Sequence, residues 1–110
     1  SWWPPPWWRH SPPAGASLGA KGAFQWDAVK DATSYQLEIY DELRDERLTG
    51  VLLPAHAGTQ ATPLTDIARA RLPQGCRCRW RVLAFDAAGE LRGASELRPI
   101  VIPPQKRGKP

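Results

Sequence analysis

The hydrophobic rhythm of the chain changes after its first twenty residues. Residues 1–20 show no period: Pro4, Pro5, Pro6, Pro12 and Pro13 favour extended polyproline II backbone, and AGASLGAKG is a flexible stretch. From Ala23 an alternation of period two sets in. In AFQWDAV, Phe24 and Trp26 fall on one face and Gln25 and Asp27 on the other; in SYQLEIYD, Tyr35, Leu37 and Ile39 oppose Gln36, Glu38 and Tyr40. KDATS between them supplies turn residues, so the two runs predict a pair of strands joined by a short loop. DELRDER reads as a polar, hairpin-like turn and LTGVLLP as a strand bounded by Pro54. A short strand is expected around residues 59–62, and a turn of helix in LTDIARARL that LPQG ends. A long strand over residues 75–85 follows, then DAAGE as a turn. LRGASELRPIVI makes a last strand, which Pro99 places at a sheet edge because proline has no N–H for the ladder. Six or seven short strands with frequent turns and no strong helix predict an all-β antiparallel sandwich.

The stretch GCRCRWRVLAF carries both cysteines. By period two, Cys76, Cys78, Trp80, Val82 and Ala84 share one face, and Arg77, Arg79, Arg81, Leu83 and Phe85 the other. The first face is filler for a core, where a reduced thiol behaves as a small hydrophobe. A metal site needs three or four ligands, and beyond the two thiols only His10 and His56 offer soft donors, so neither a metal nor a cofactor is expected. A disulfide within the pair is not expected either. Same-face neighbours on an extended strand lie ~6.5 to 7 Å apart, whereas bonded Cβ atoms approach to ~4 Å. The arginines admit two readings. SYQLEIY running antiparallel beside them would set Glu38 and Tyr40 against the guanidiniums, a sheet-stabilising arrangement. Alternatively, Arg77, Arg79 and Arg81 form a partner-binding patch.

Composition narrows the function classes. The chain has 110 residues, 42% of them hydrophobic, with six Trp and no Met, which suits one folded domain. Its twelve prolines cluster towards the two ends. The net charge of +4 is modest, and Lys106, Arg107 and Lys109 lie in the closing tail. Elsewhere bases alternate with acids, and few aromatics interleave with the arginines, so nucleic acid is not the expected partner. No apolar run reaches the ~18 residues of a membrane span, and no signal-peptide pattern is present. Opening at Ser1 rather than Met, the chain reads as processed or excised. There is no glycine-rich phosphate loop, nucleophile elbow or carboxylate series, and the acids of DELRDE sit on a polar turn, so the sequence predicts no enzyme.

FQWDAVKDATSYQLEIYD, with Trp26 and Tyr35, and LPQGCRCRWRVLAFDAAGE, with Leu72, Gly75, Trp80, Val82, Ala84, Asp86 and Gly89, resemble the fibronectin type III family over about residues 18–102. The resemblance implies an immunoglobulin-like sandwich of about seven strands. One departure stands out: the family's corner tyrosine would fall at Cys78, so its hydroxyl bond to the upstream loop is missing. Within the family the pattern is most similar to modules of bacterial cell-envelope proteins, including those outside the membrane in anti-sigma factors. That likeness implies a periplasmic or extracellular, membrane-anchored setting.

The organisation expected is an arm over residues 1–17, a sandwich over 18–102 and a basic tail over 103–110. SWWPPPWWRH is the segment that folding does not explain, because burying each Trp is worth on the order of 2 to 3 kcal/mol. Trp2, Trp3, Trp7 and Trp8 would fold back over the sandwich, sit at a membrane surface, or anchor a protein partner. The function expected is a non-catalytic interaction or spacer module of a larger envelope protein, binding a protein partner or a neighbouring domain. The alternatives are a structural subunit whose arm packs on its neighbour to build an oligomer or filament, and a carbohydrate-binding accessory module.

Overall fold

The computed structural model describes residues 10–19, 21–58 and 60–104. Among these, nine strands and one short helix follow in order: β1 (His10–Ser11), β2 (Ala16–Ser17), β3 (Ala23–Trp26), β4 (Ser34–Asp41), β5 (Glu46–Pro54), β6 (Thr62–Pro63), α1 (Asp66–Ala70), β7 (Arg77–Phe85), β8 (Leu91–Ala94) and β9 (Arg98–Val101). Two sheets result, one of three strands in the order β1-β3-β6 and one of six in the order β2-β9-β7-β4-β5, with β8 also on β7. The protein is all-β, as its alternation predicts, and the arrangement is compatible with an immunoglobulin-like sandwich.

The period-two faces explain how the layers meet. Phe24 and Trp26 of β3 are buried with Tyr35, Leu37 and Ile39 of β4 and Cys78, Trp80, Val82 and Ala84 of β7. Phe24 meets Trp80 edge-on with ring centroids 4.8 Å apart, and Trp26 meets Tyr35 likewise at 5.4 Å. Each such pair joins the small sheet to the large one and contributes roughly 0.5 to 1.5 kcal/mol beyond the area it buries.

Tyr35 does a second job. Its ring lies in the core while its hydroxyl accepts the Val29 N–H at 3.0 Å, closing the β3–β4 loop. Replacing Tyr35 by Phe keeps the ring and leaves that N–H without its acceptor, so the domain should lose about 1 to 2 kcal/mol in urea unfolding. Unchanged stability would show that water takes over the bond.

The polar turns form as their residues require. Asp41 Oδ1 accepts the N–H groups of Leu43 and Arg44 at 2.8 and 3.0 Å, closing the turn to β5. In DAAGE, Asp86 Oδ1 accepts from Ala88 and Glu90, both at 2.9 Å, while Arg92 Nε donates to Asp86 Oδ2 at 2.8 Å. The helical turn in LTDIARARL is α1, whose Thr65 Oγ1 caps the Ala68 N–H at 3.1 Å.

Three features differ from the alternation-based expectation. The last strand is two pieces: β4 occupies one edge of β7 from Cys78 to Phe85, so β8 and β9 share the other. Between them, buried Ser95 keeps the ladder closed, its N–H reaching the Val82 carbonyl and its Oγ accepting the Val82 N–H, at 2.9 and 2.8 Å. Pro99 is not at the sheet edge, because β2 pairs with β9 in parallel outside it. It is tolerated there because Ile102 N–H bonds the Cys76 carbonyl, which makes Cys78 and Trp80 the hydrogen-bonded positions of β7 opposite β9. Pro99, opposite Arg79, then needs no N–H towards β7. The short strand expected around residues 59–62 pairs with β3 at Thr62–Pro63, after a bridge between Ala57 and Gln60; residue 59 lies outside the described residues.

Within the stretch assigned to the arm, residues 10–17 supply β1 to the small sheet and β2 to the large one. The His10 ring packs edge-on against Trp80, centroids 5.6 Å apart.

Candidate functional site

The outer surface of the six-stranded sheet gathers the residues whose chemistry the core does not use. β4 and β7 run antiparallel with Glu38 opposite Arg81 and Tyr40 opposite Arg79. Both strands carry polar residues at every second position, so their outward rows coincide once the inward rows are buried.

Glu38 lies at the centre. Although it sits on the outward face, it is 3% exposed, covered by the side chains that bind it. Arg81 Nε donates to Oε1 at 2.7 Å and the Tyr40 hydroxyl to Oε1 at 3.0 Å. Gln36 Nε2 donates to Oε2 at 2.7 Å and Arg47 Nη1 to Oε2 at 3.2 Å. The Arg81 guanidinium also lies 5.6 Å from the centre of the Tyr40 ring, a cation–π contact. Burial by itself would raise the Glu38 pKa, but the bonds from Arg81, Tyr40 and Gln36 outweigh it and hold the carboxyl below its ordinary value. Gly50 of β5 is the register partner of Glu38, and the Arg47 guanidinium lies over the space a side chain there would fill.

Towards the other end of β7 the arginines are held less. The Arg79 Nε stands 3.5 Å from Glu42 Oε1 and the Arg77 Nε 4.0 Å from Glu42 Oε2. Side-chain exposure rises from 33% at Arg81 through 46% at Arg79 to 75% at Arg77. The ladder therefore divides into a sealed end, where Arg81 is structural, and an open end, where two guanidiniums share one carboxylate. Leu43, at the turn beside Glu42, is 91% exposed. Because exposed pairs contribute only about 0.2 to 1 kcal/mol each, exchanging Arg77 and Arg79 for Gln should shift the unfolding midpoint little. Gln at Arg81 should cost more than both together, as comparative urea titration would read.

The alternation marks Arg77, Arg79 and Arg81 with Glu38 and Tyr40 as their neighbours, but Glu42, Arg47 and Gly50 carry no such mark. Glu42 reads as one more acid of a solvated turn. Arg47 reaches Glu38 because the β4–β5 register shifts between Ile39 and Tyr40, a bulge that the local pattern does not announce.

The cysteines need one correction. Both are free thiols, and Cys78 is buried as expected, but Cys76 is only half-buried and its Sγ lies 2.8 Å from Cys78 Sγ. Arg77 between them belongs to β7, so the backbone spacing is that of a strand, and it is the two side chains that lean together where the turn at Gly75, whose φ is +70°, leads into the strand. Among the described residues no three His, Cys, Asp or Glu side chains are gathered closely enough to hold a metal ion.

A groove of about 470 Å³ runs between α1 and β5, lined by Arg47, Thr49, Leu52, Ile67, Ala68 and Arg71 among others. No helix among the described residues is long and apolar enough to cross a membrane. Trp2, Trp3, Trp7 and Trp8 lie outside the described residues. Comparison with protein-family models, with curated proteins and with solved structures finds no match to this chain.

Proposed function

We propose that this chain is a non-catalytic interaction module of a larger protein, and that it meets an acidic segment of a partner protein or neighbouring domain through the open end of its arginine ladder. The observation that carries the reading is the contrast along β7: Arg81 is committed to Glu38, whereas Arg77 and Arg79 reach out beside Leu43 with a single carboxylate between them. An exposed apolar tip beside forked donors is a surface that can anchor a segment and pair its carboxylates.

The finer reading is a fibronectin type III-like module of a bacterial envelope protein, in the extracytoplasmic part of an anti-sigma factor or a related sensor. It is supported by where the resembling stretches fall: residues 24–41 run from β3 through the loop and β4, and residues 72–90 run through β7 and the DAAGE turn. On this reading Trp2, Trp3, Trp7 and Trp8 add a second contact, to the partner or to the membrane surface.

The test is a photo-crosslinking side chain placed at Arg44, beside the ladder, in the full-length protein in its own cell. One dominant adduct should form and weaken with salt. It should be lost in the Arg77→Glu/Arg79→Glu variant, with urea unfolding as the check that the variant is folded. An adduct indifferent to that reversal would sink the acidic-partner reading. Liposome partition of a peptide covering residues 1–12 tests the membrane contact separately.

A further inference from the structure

The two thiols at the start of β7 have no part in the interaction surface, yet they are placed for chemistry. Their sulfurs stand 2.8 Å apart, closer than two non-bonded sulfurs ordinarily rest and longer than the ~2.04 Å of a bond. They are also unequal. Cys76 is half-buried at a turn, while Cys78 is fully buried, between Asp41 of β4 and Ile100 of β9 in the sheet. The Cys76 sulfur also lies 3.3 Å from the Arg77 carbonyl oxygen and 3.9 Å from Asp41 Oδ2. Burial, then Cys76 itself, then the carboxylates of Asp41 and Glu42 drive the Cys78 thiol far above its ordinary pKa. Cys78 is therefore held as a thiol in the reduced chain.

We propose that Cys76 and Cys78 form a dithiol–disulfide couple that exchanges with low-molecular-weight disulfides, Cys76 being the entry thiol and Cys78 the resolving one. The Cys76 thiol gives its proton to solvent, and the thiolate attacks one sulfur of the small disulfide. A Cys76 mixed disulfide forms and one small thiolate leaves. Cys78 then attacks Cys76 Sγ, its proton passing to the second small thiolate as that leaves, and the Cys76–Cys78 bond closes. In sum, two protein thiols are oxidised by two electrons and one disulfide is reduced to two thiols, which take up the two protons. Adjacency favours the second step, because the resolving sulfur already lies beside the first. Arg77 stands between the two cysteines in sequence and projects to the opposite face, so the couple backs the open end of the arginine ladder.

The experiment uses the whole chain with oxidised glutathione as the probe, followed by alkylation in denaturant and intact-mass measurement. The wild-type chain should lose both alkylations together, fall in mass by two hydrogens and carry no glutathione; reduced glutathione in excess should reverse this. Cys78→Ser should instead stop at glutathione on Cys76. Cys76→Ser should leave Cys78 unmodified while the chain is folded. The wild-type measurement decides the matter even if either variant fails to fold. Glutathione retained on wild-type Cys76, two thiols still alkylated after excess oxidant, or chains linked to each other would each overturn the assignment.

Discussion

Replacing Gly58 by alanine should destabilise the domain more than any other single methyl group added to it. Gly58 has φ at +83°, a conformation that costs an L side chain about 1 to 2 kcal/mol. Its backbone is also committed on both sides: the carbonyl accepts the Trp26 N–H at 2.8 Å and the N–H donates to Thr62 Oγ1 at 3.0 Å. A Cβ there would overlap the indole carbons Cδ2, Cε2 and Cζ2 of Trp26. Trp26 has nowhere to go, being 2% exposed and edge-on to Tyr35. Adding the overpacking cost of 1 to 3 kcal/mol gives a loss of about 3 kcal/mol or more, a large part of the 5 to 15 kcal/mol that holds a typical domain folded. Gly89 supplies the control, with φ at +79° and open space around the added carbon. Gly89→Ala should show the backbone cost alone. In urea unfolding followed by tryptophan fluorescence, Gly58→Ala must fall well below Gly89→Ala; equal losses would mean that the indole is not wedged under the loop.

The same position shows how far the sequence could be read. The pattern predicts a short strand around residues 59–62, and nothing local says that Gly58 before it lies against an indole some thirty residues upstream. What was legible is what repeats. Alternation in β3, β4 and β7 identifies the buried rows, and the coincidence of polar positions pairs the Glu38–Tyr40 row with the arginines before any register is known. What was not legible depends on breaks in the repeat. The Ser95 side chain bridges a gap in the ladder that a period cannot express, and the bulge before Tyr40 swings Arg47 onto Glu38. The approach of the Cys76 and Cys78 sulfurs is a matter of side-chain direction, which alternation does not encode. β1 and β2 were hidden for another reason: two-residue strands set among Pro12, Pro13 and Gly15 carry too few positions to show alternation.

Removing the Glu38 carboxylate is the second large effect, and pH gives it a signature that packing changes lack. Glu38→Ala strips the acceptor from four donors at once and leaves the Arg81 charge without its partner. A fully buried pair broken this way loses about 3 to 5 kcal/mol; with the Arg81 and Arg47 side chains 33% and 54% exposed, water recovers part of it, so about 2 to 3 kcal/mol is expected at neutral pH. Glu38→Gln, which keeps the shape and one acceptor, should lose less. The sign with pH follows from the lowered folded pKa. An unfolded chain binds the Glu38 proton near the ordinary 4.5 and the folded chain only at lower pH, so the contribution is complete above 4.5 and fades as pH falls through the folded value. The wild-type and Glu38→Ala stability curves should therefore lie apart at neutral pH and converge in acid. Curves that stay parallel down to the acid limit would assign the loss to side-chain volume and remove the carboxylate from the centre of this face.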